Sequence, residues 1–343
     1  MIRGIATLCM MAMVGVSMAD AQTPAPLEQR DPLTVRMYWE NDGGPMRFDT
    51  ASDRYYTNGA AMSITHQPQW AADLAPHMPF ADAFGPAKTG AGYVAGQLMF
   101  TPDDINTAAL VPDERPYAGY LYGGVFWQRA NANTLDHFEF NLGLVGTSSG
   151  ADELQDYIHA LVSTDEPLGW GNQLHDEVTF QFHLRKKWRS EIGRVEWANH
   201  EMVMQLIPQA GAAVGTVQRH LEGAATLRFG ANLPDDFGPS HIGDMPTAPG
   251  SMSRGLSAYA FARVGMRIVE HNLFIEGNTW RSSHGRQAEV WVGDITMGAS
   301  VGYHSDPWAV DLTWSHTWRT HEFEGQKRDN DYAALNLAVT YWF

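Results

Sequence analysis

Two short polar strings place oxygen-bearing side chains where predicted strands end. Glu40, Asn41 and Asp42 close one alternating segment, and Thr57 opens the next. Carboxylate and amide oxygens are the ligands that hard cations prefer, and such a cation can polarise an ester carbonyl. Asn and Asp after a strand are also ordinary turn residues. The pair Asn41 and Asp42 is therefore a candidate cation site that needs support from other residues.

A histidine on a predicted surface helix supplies a candidate base. Gln155 and His159 are four residues apart in the segment 150–163, so they share one helix face. Apolar residues recur there at helical spacing, namely Leu154, Ile158 and Leu161. Histidine titrates near neutral pH, so with a carboxylate such as Asp165 nearby it could activate water for hydrolysis. A histidine in a loop is more often simply solvated, and the pattern alone is weak.

Alternating residues predict the strands that must position these loops. In the last segment, Leu335, Leu337 and Val339 fall on one face, and Asn336 and Thr340 fall on the other. The same period of two recurs in segments 137–144 and 178–185. One apolar face for lipid and one polar face for a lumen are typical of an outer-membrane β-barrel. A soluble β-sandwich also alternates, but it seldom places aromatic rings at both strand ends.

We predict an all-β protein, a twelve-stranded antiparallel transmembrane β-barrel with a short helix in an extracellular loop. The predicted strands are 33–42, 57–67, 91–101, 117–130, 134–146, 176–188, 195–215, 217–231, 257–269, 287–303, 307–320 and 330–343. An even number leaves both termini in the periplasm. The extracellular segments are then 43–56, 102–116, 147–175, 270–286 and 321–329. Segments 189–194 and 304–306 are predicted periplasmic turns, and 232–255 is long for a turn on that side.

Composition limits the class of protein. Residues 1–21 predict a secretory signal peptide, with Arg3 before an apolar core and small residues at its end, and 22–343 form the barrel domain. The only cysteine, Cys9, lies in that signal, so the exported chain has no disulfide. No segment after it has the roughly 18 apolar residues of a spanning helix. The net charge of −16 argues against a nucleic-acid partner.

Several strings together resemble the lipid A 3′-O-deacylases of Gram-negative outer membranes. They are YWEND (38–42), SDRYYTNG (52–59), ERPYAGYLYGG (114–124), Gln155 with His159, and GWGNQLHDE (169–177). The resemblance implies a twelve-stranded barrel whose site faces the extracellular side and contacts outer-membrane lipid. Its substrate would be lipid A or lipopolysaccharide. The implied reaction is a Ca²⁺-assisted, phospholipase A2-like attack by water on the 3′-linked acyloxyacyl ester.

The resemblance also implies a role for each matching residue. His159 matches the general base. Asn41 and Asp42 match the pair at the cation and oxyanion site. Thr57 and Gln155 match polar residues that line the pocket, and all five are present in this sequence.

Two positions depart from the family pattern. The carboxylate that orients the histidine is a Glu in the family, whereas here Asp165 stands six residues after His159 and Glu166 follows it. Either residue could serve. A Lys-Arg pair suited to lipid A phosphates matches Thr107 and Ala108, in a loop that carries acidic residues instead. Head-group recognition is therefore expected to differ.

Two other functions remain compatible with the sequence. One is an outer-membrane phospholipase-type esterase with Ser63 as its nucleophile, although no His-x-Ser-type motif supports it. The other is a narrow porin or structural barrel with a polar, non-catalytic lumen. The sequence indicates no oligomeric state.

Overall fold

The structure, a computed structural model, describes residues 31–43, 53–79, 84–162, 166–197, 200–245 and 254–343. Its strands are β1 (Pro32–Asn41), β2 (Tyr55–His66), β3 (Lys88–Thr101), β4 (Ala118–Ala130), β5 (Thr134–Val145), β6 (Glu177–Trp188), β7 (Ser190–Trp197), β8 (His200–Gly215), β9 (Gln218–Ala231), β10 (Gly255–Asn272), β11 (Trp291–Ser305), β12 (Trp308–Arg319) and β13 (Asn330–Trp342). The α-helices of these ranges are α1 (Gln69–Leu74), α2 (Ala151–Val162) and α3 (Leu273–Glu276). None of them combines the length and apolar character that a membrane-crossing helix needs. The predicted signal peptide lies outside the described residues and stays a prediction.

The strands close into one antiparallel barrel. Consecutive strands pair with each other except β6 and β7, β1 pairs with β13, and β6 pairs with β8 to complete the ring. β7 pairs with β8 alone and runs in the direction of β6, so that β6 and β7 form one strand interrupted at Arg189. The prediction of a twelve-stranded barrel is confirmed.

The periplasmic turn predicted at 189–194 is wrong. Ser190 to Trp197 instead continue the pairing with β8, from Ser190 opposite Leu206 to Trp197 opposite His200. A bulge between Glu191 and Gly193 shifts the register of this pairing without ending it. The turn predicted at 304–306 is also displaced, since β11 continues to Ser305.

The barrel wall has one outward face and one lumen face. On β3, Tyr93 is exposed whereas its neighbour Val94 is buried. Val94 belongs to a lumen cluster dominated by aromatic rings, which include Tyr38, Tyr56, Phe100, Tyr120, Tyr122, Phe274 and Tyr332. Exposed apolar side chains on the outward positions form the lipid-facing surface that a transmembrane barrel requires.

Residues 232–245, the described part of the long segment between β9 and β10, fold into the lumen, which explains why the segment exceeds an ordinary turn. The backbone N–H of Ile242 donates to Glu40 Oε1 at 2.7 Å, and Asn336 Nδ2 donates to Ser240 Oγ at 3.0 Å. Lys187 Nζ lies 3.0 Å from Asp244 Oδ1. Contacts with three separate strands hold this segment inside the barrel as a plug.

Candidate active site

Helix α2 rests on the outer face of the barrel wall. Gln97 and Met99 share the outward face of β3 with Tyr93. Gln97 Nε2 donates to the carbonyl oxygen of Ser149 at 2.7 Å, just before the helix begins. Met99 packs in one buried cluster with Ala151, the first helical residue. The helix therefore covers the lipid-facing side of the wall at its extracellular end and does not point into the lumen.

A glycine on β4 permits this close contact. A Cβ atom at Gly119 would lie 2.1 Å from Ser149 Oγ and 2.4 Å from Ala151 Cβ, well inside van der Waals distance. The N–H of Gly146 also donates to the carbonyl oxygen of Gly119 at 3.0 Å. The absence of a side chain at position 119 thus brings the helix against the strand.

The helix buries its polar pair. Gln155 is 3% exposed and His159 is 5% exposed, on the same face as Ala151. By contrast, the apolar residues that recur at helical spacing are exposed, namely Leu154, Ile158 and Leu161. A surface helix of a soluble protein usually has the reverse arrangement, with its apolar stripe turned to the core.

His159 contacts one residue of the loop between β1 and β2 and one residue of its own helix. Its Nε2 lies 3.3 Å from Asp53 Oδ2 and 3.5 Å from Gln155 Nε2. Trp170 Nε1 donates to Gln155 Oε1 at 2.8 Å, which orients the amide. Burial raises the pKa of Asp53 above its ordinary value, and the adjacent His159 partly offsets that increase.

Sequence reasoning missed Asp53. It stands in the SDRYYTNG string, four residues before Thr57, but no periodicity links it to His159. The predicted partner Asp165 lies outside the described residues and stays a prediction. Glu166, the alternative, is exposed. Among the described residues, Asp53 is the carboxylate that contacts the histidine.

Asn41 and Asp42 meet at one carbonyl group. Thr57 O accepts a hydrogen bond from Asn41 Nδ2 at 3.0 Å and from the Asp42 N–H at 3.3 Å. The strand β1 ends at Asn41, and the pairing of β2 with β3 shifts register between Tyr56 and Asn58. This bulge turns Thr57 to the outward face, although β-strand alternation would place it with the lumen residues.

A chain of hydrogen bonds joins that corner to the histidine. Thr57 Oγ1 and Thr101 Oγ1 are 2.8 Å apart, and Thr101 Oγ1 donates to Asp53 O at 3.2 Å. The N–H of the next residue, Arg54, donates to Asp42 Oδ2 at 2.6 Å. Five of the six predicted site residues, all except Asp165, therefore lie in one connected network.

The donor chemistry at this corner suits a hard cation only in part. Asp42 offers a buried carboxylate, whereas Asn41 Oδ1 already accepts from the Gly43 N–H at 2.7 Å. In the ranges that the structure covers, no three His, Asp or Glu side chains converge as metal ligands. An all-oxygen pair fits Ca²⁺ provided that water, carbonyl or substrate oxygens complete its six to eight ligands.

The loop between β3 and β4 has Thr107 and Ala108 where the Lys-Arg pair was expected. Two acidic residues of this loop form ion pairs with basic residues of another loop. Lys327 Nζ lies 3.6 Å from Glu114 Oε1, and Arg328 Nε lies 3.4 Å from Asp103 Oδ2. The rim that looks strongly acidic in sequence is therefore partly neutralised by the loop between β12 and β13.

Comparisons with known proteins give a family match and several structural matches. A model of the family described as outer membrane protein LpxR matches residues 5–341. LpxR from Salmonella typhimurium superimposes with a TM-score of 0.68 at 18% identity, covering 90% of this chain and 100% of that one. The translocator domain of autotransporter NalP from Neisseria meningitidis gives a TM-score of 0.44 at 10% identity, covering 100% and 95%. No curated protein sequence matches the chain.

The two main matches support different statements. At 18% identity, the structural similarity shows a shared barrel fold. The family match extends over nearly the whole sequence, including every string that carried the resemblance. This chain therefore belongs to the LpxR family of outer membrane proteins.

Proposed function

We propose that the protein is a lipid A 3′-O-deacylase that hydrolyses the 3′-linked acyloxyacyl ester at the outer surface of the outer membrane. Membership of the LpxR family supports an enzyme that modifies lipid A there. The observation that carries the finer proposal is the position of His159, which is buried between helix α2 and the outward face of the wall. A lipid can reach that face laterally from the membrane.

In this proposal His159 takes a proton from the attacking water. The carboxylate of Asp53, 3.3 Å from Nε2, stabilises the imidazolium that forms and fixes the orientation of the ring. Gln155, whose amide accepts a hydrogen bond from Trp170, restricts the orientation of the His159 ring from the same helix face. Thr57 connects the Asn41 and Asp42 corner to the backbone of Asp53. The reaction consumes one water and releases a fatty acid and an alcohol.

Asn41 and Asp42 would hold the Ca²⁺ ion. When bound, such an ion polarises an ester carbonyl and stabilises negative charge on its oxygen. The chain's own contribution is to fix the two side chains, since Asp42 is anchored by the Arg54 N–H and Asn41 by Thr57 O.

The test is mass spectrometry of lipid A from cells that express the protein. Loss of the 3′-linked acyl chains is expected with the wild type and not with His159→Ala. The variant should still form a folded, heat-modifiable barrel, because His159 lies on a loop helix outside the strand ladder. Unchanged lipid A in cells that contain folded wild-type protein would contradict the proposal.

The two alternative functions receive less support. Ser63 is buried on the lumen face of β2, next to the exposed outward Met62, and so lies on the opposite face from the histidine. Ile242 and Ser240 of the plug bond to Glu40 and Asn336 inside the lumen, which does not favour an open porin. Phospholipid breakdown without lipid A deacylation would revive the esterase alternative.

A further inference from the structure

Helix α2 carries an apolar flank directly beside its buried histidine. Leu154, Ile158 and Leu161 are spaced four and three residues apart and form a line along the helix of about 10 Å. Leu161 is 71% exposed, and Ile158 is 38% exposed. The acidic residues of the helix, including the exposed Glu153, lie on the other flank. The helix therefore has a buried polar face, an acidic flank and an exposed apolar flank.

The apolar flank adjoins the lipid-facing wall. The helix rests on Gly119, and the next outward residue of the same strand, Leu121, is an exposed leucine. Beyond the loop that contains the helix, the second residue of β6 is the exposed outward Val178. Exposed apolar residues mark an interaction site, and the outward apolar residues of the wall that carries the helix point to hydrocarbon as the occupant.

The geometry points to one particular source of hydrocarbon. Ile158 precedes His159, so the two side chains diverge by about 100° around one rigid helix. An acyl chain that lies along Leu154, Ile158 and Leu161 therefore keeps a fixed relation to a group held at His159. Bulk membrane lipid would need no such relation between an apolar line and a buried base.

We propose that this flank, Leu154, Ile158 and Leu161, binds an acyl chain of the lipid substrate and thereby sets its chain-length preference. The inference rests on the proposed function, and it adds a specificity-determining surface to it. Leucine burial of this kind contributes enough binding free energy for a change on the order of tenfold.

The first experiment compares two substrates with each variant. Lipid A with a long 3′ acyl chain and an analogue with a short one are assayed with Ile158→Gln plus Leu161→Gln, because glutamine keeps helix propensity and chain length. The ratio of kcat/KM for the long chain to that for the short chain should fall on the order of tenfold. Glu153→Gln, on the acidic flank, should leave the ratio unchanged. An unchanged ratio in the double variant, or equal losses on both substrates, would overturn the inference.

The second experiment does not depend on turnover. The sequence has only Cys9, which lies in the predicted signal peptide, so a Cys at Leu161 can be labelled alone with a photo-reactive group. In the His159→Ala background and in membranes that contain lipid A and phospholipid, Leu161→Cys should cross-link lipid A acyl chains, whereas Glu153→Cys should not. Cross-links to phospholipid alone would overturn the inference. Cross-links to lipid A would support binding of its acyl chain at this flank, whereas mass spectrometry of lipid A decides separately whether the wild type is a 3′-O-deacylase.

Discussion

His159 Nε2 lies 3.3 Å from Asp53 Oδ2, although the two residues come from different extracellular loops. One loop joins β1 to β2, and the other carries helix α2. The contact forms because the helix lies on the outside of the wall, where the start of β2 also turns outward at its bulge. A base and its carboxylate are thus assembled by the docking of a helix on a barrel.

Asp53→Asn should change the pH dependence of hydrolysis as well as its rate. Burial raises the pKa of Asp53, so this carboxyl takes up a proton at a higher pH than an ordinary aspartate. A protonated Asp53 cannot stabilise the imidazolium, so log(kcat/KM) of the wild type should decrease as Asp53 takes up its proton. Asp53→Asn has no such titration, so the acid limb of its log(kcat/KM) profile should be less steep than in the wild type, with a rate lower on the order of 10²-fold. A variant with the wild-type slope would show that Asp53 does not act through the histidine.

Trp170→Phe should lower turnover without changing the pH profile. The substitution removes the 2.8 Å hydrogen bond to Gln155 Oε1 but keeps an aromatic ring against Tyr117, whose centroid lies 5.0 Å away. Loss of one such bond is worth about 1 kcal/mol, so a decrease in kcat of about fivefold is expected. Trp280→Phe, at an exposed ring in another extracellular loop, is the matched control and should be neutral. Equal effects of the two substitutions would argue against a role for the Gln155 orientation.

Gly119→Ala tests whether helix docking builds the site. The new Cβ would meet Ser149 Oγ at 2.1 Å and Ala151 Cβ at 2.4 Å, so the helix must move away from the wall. Because moving the helix separates His159 from the groups on the wall, activity should fall at least tenfold. The barrel should still fold and show heat-modifiable mobility. Gly123→Ala is the control on the same outward face, where the nearest atom is Val94 O at 3.8 Å. Similar activity in both variants would mean that the helix position is not critical.

The fold could be predicted from sequence to a large extent because a barrel strand has a simple period. Alternation located most strand boundaries to within a few residues, and the terminal segment matches β13 (Asn330–Trp342) closely. The errors occurred where alternation does not indicate which strand a segment pairs with. The segment 189–194 contains a glycine and charges that resemble a turn, yet cross-strand pairing with β8 extends the strand through it.

The site could be predicted only in part. Helical spacing placed Gln155 and His159 on one face, but it did not indicate which face of the helix is buried. The reason is that the surroundings of this helix are lipid on one side and a polar network on the other, which reverses the rule for soluble proteins. Asp53 could not be found, because its contact with His159 depends on how two loops pack and not on any local pattern.

The last prediction tests whether the negative charge of Asp42 is needed for the cation, independently of the hydrogen bond that Asp42 makes. Its Oδ2 accepts the Arg54 N–H at 2.6 Å, and an amide oxygen in Asp42→Asn can accept that bond equally well. The substitution therefore removes negative charge and keeps the local fold. Because Ca²⁺ affinity depends on the number of charged ligands, the Ca²⁺ concentration for half-maximal activity should rise at least tenfold in Asp42→Asn.

Chelation and direct binding complete this test. Removal of divalent cations should stop turnover in the wild type, and added Ca²⁺ should restore it. Titration calorimetry on the His159→Ala variant should still detect Ca²⁺ binding, because the histidine is assigned to proton transfer and not to the cation. Chelator-insensitive hydrolysis, or an Asp42→Asn enzyme with the wild-type Ca²⁺ requirement, would remove the cation from the mechanism. The Asp53 and His159 pair would then have to provide the activation of water without a metal ion.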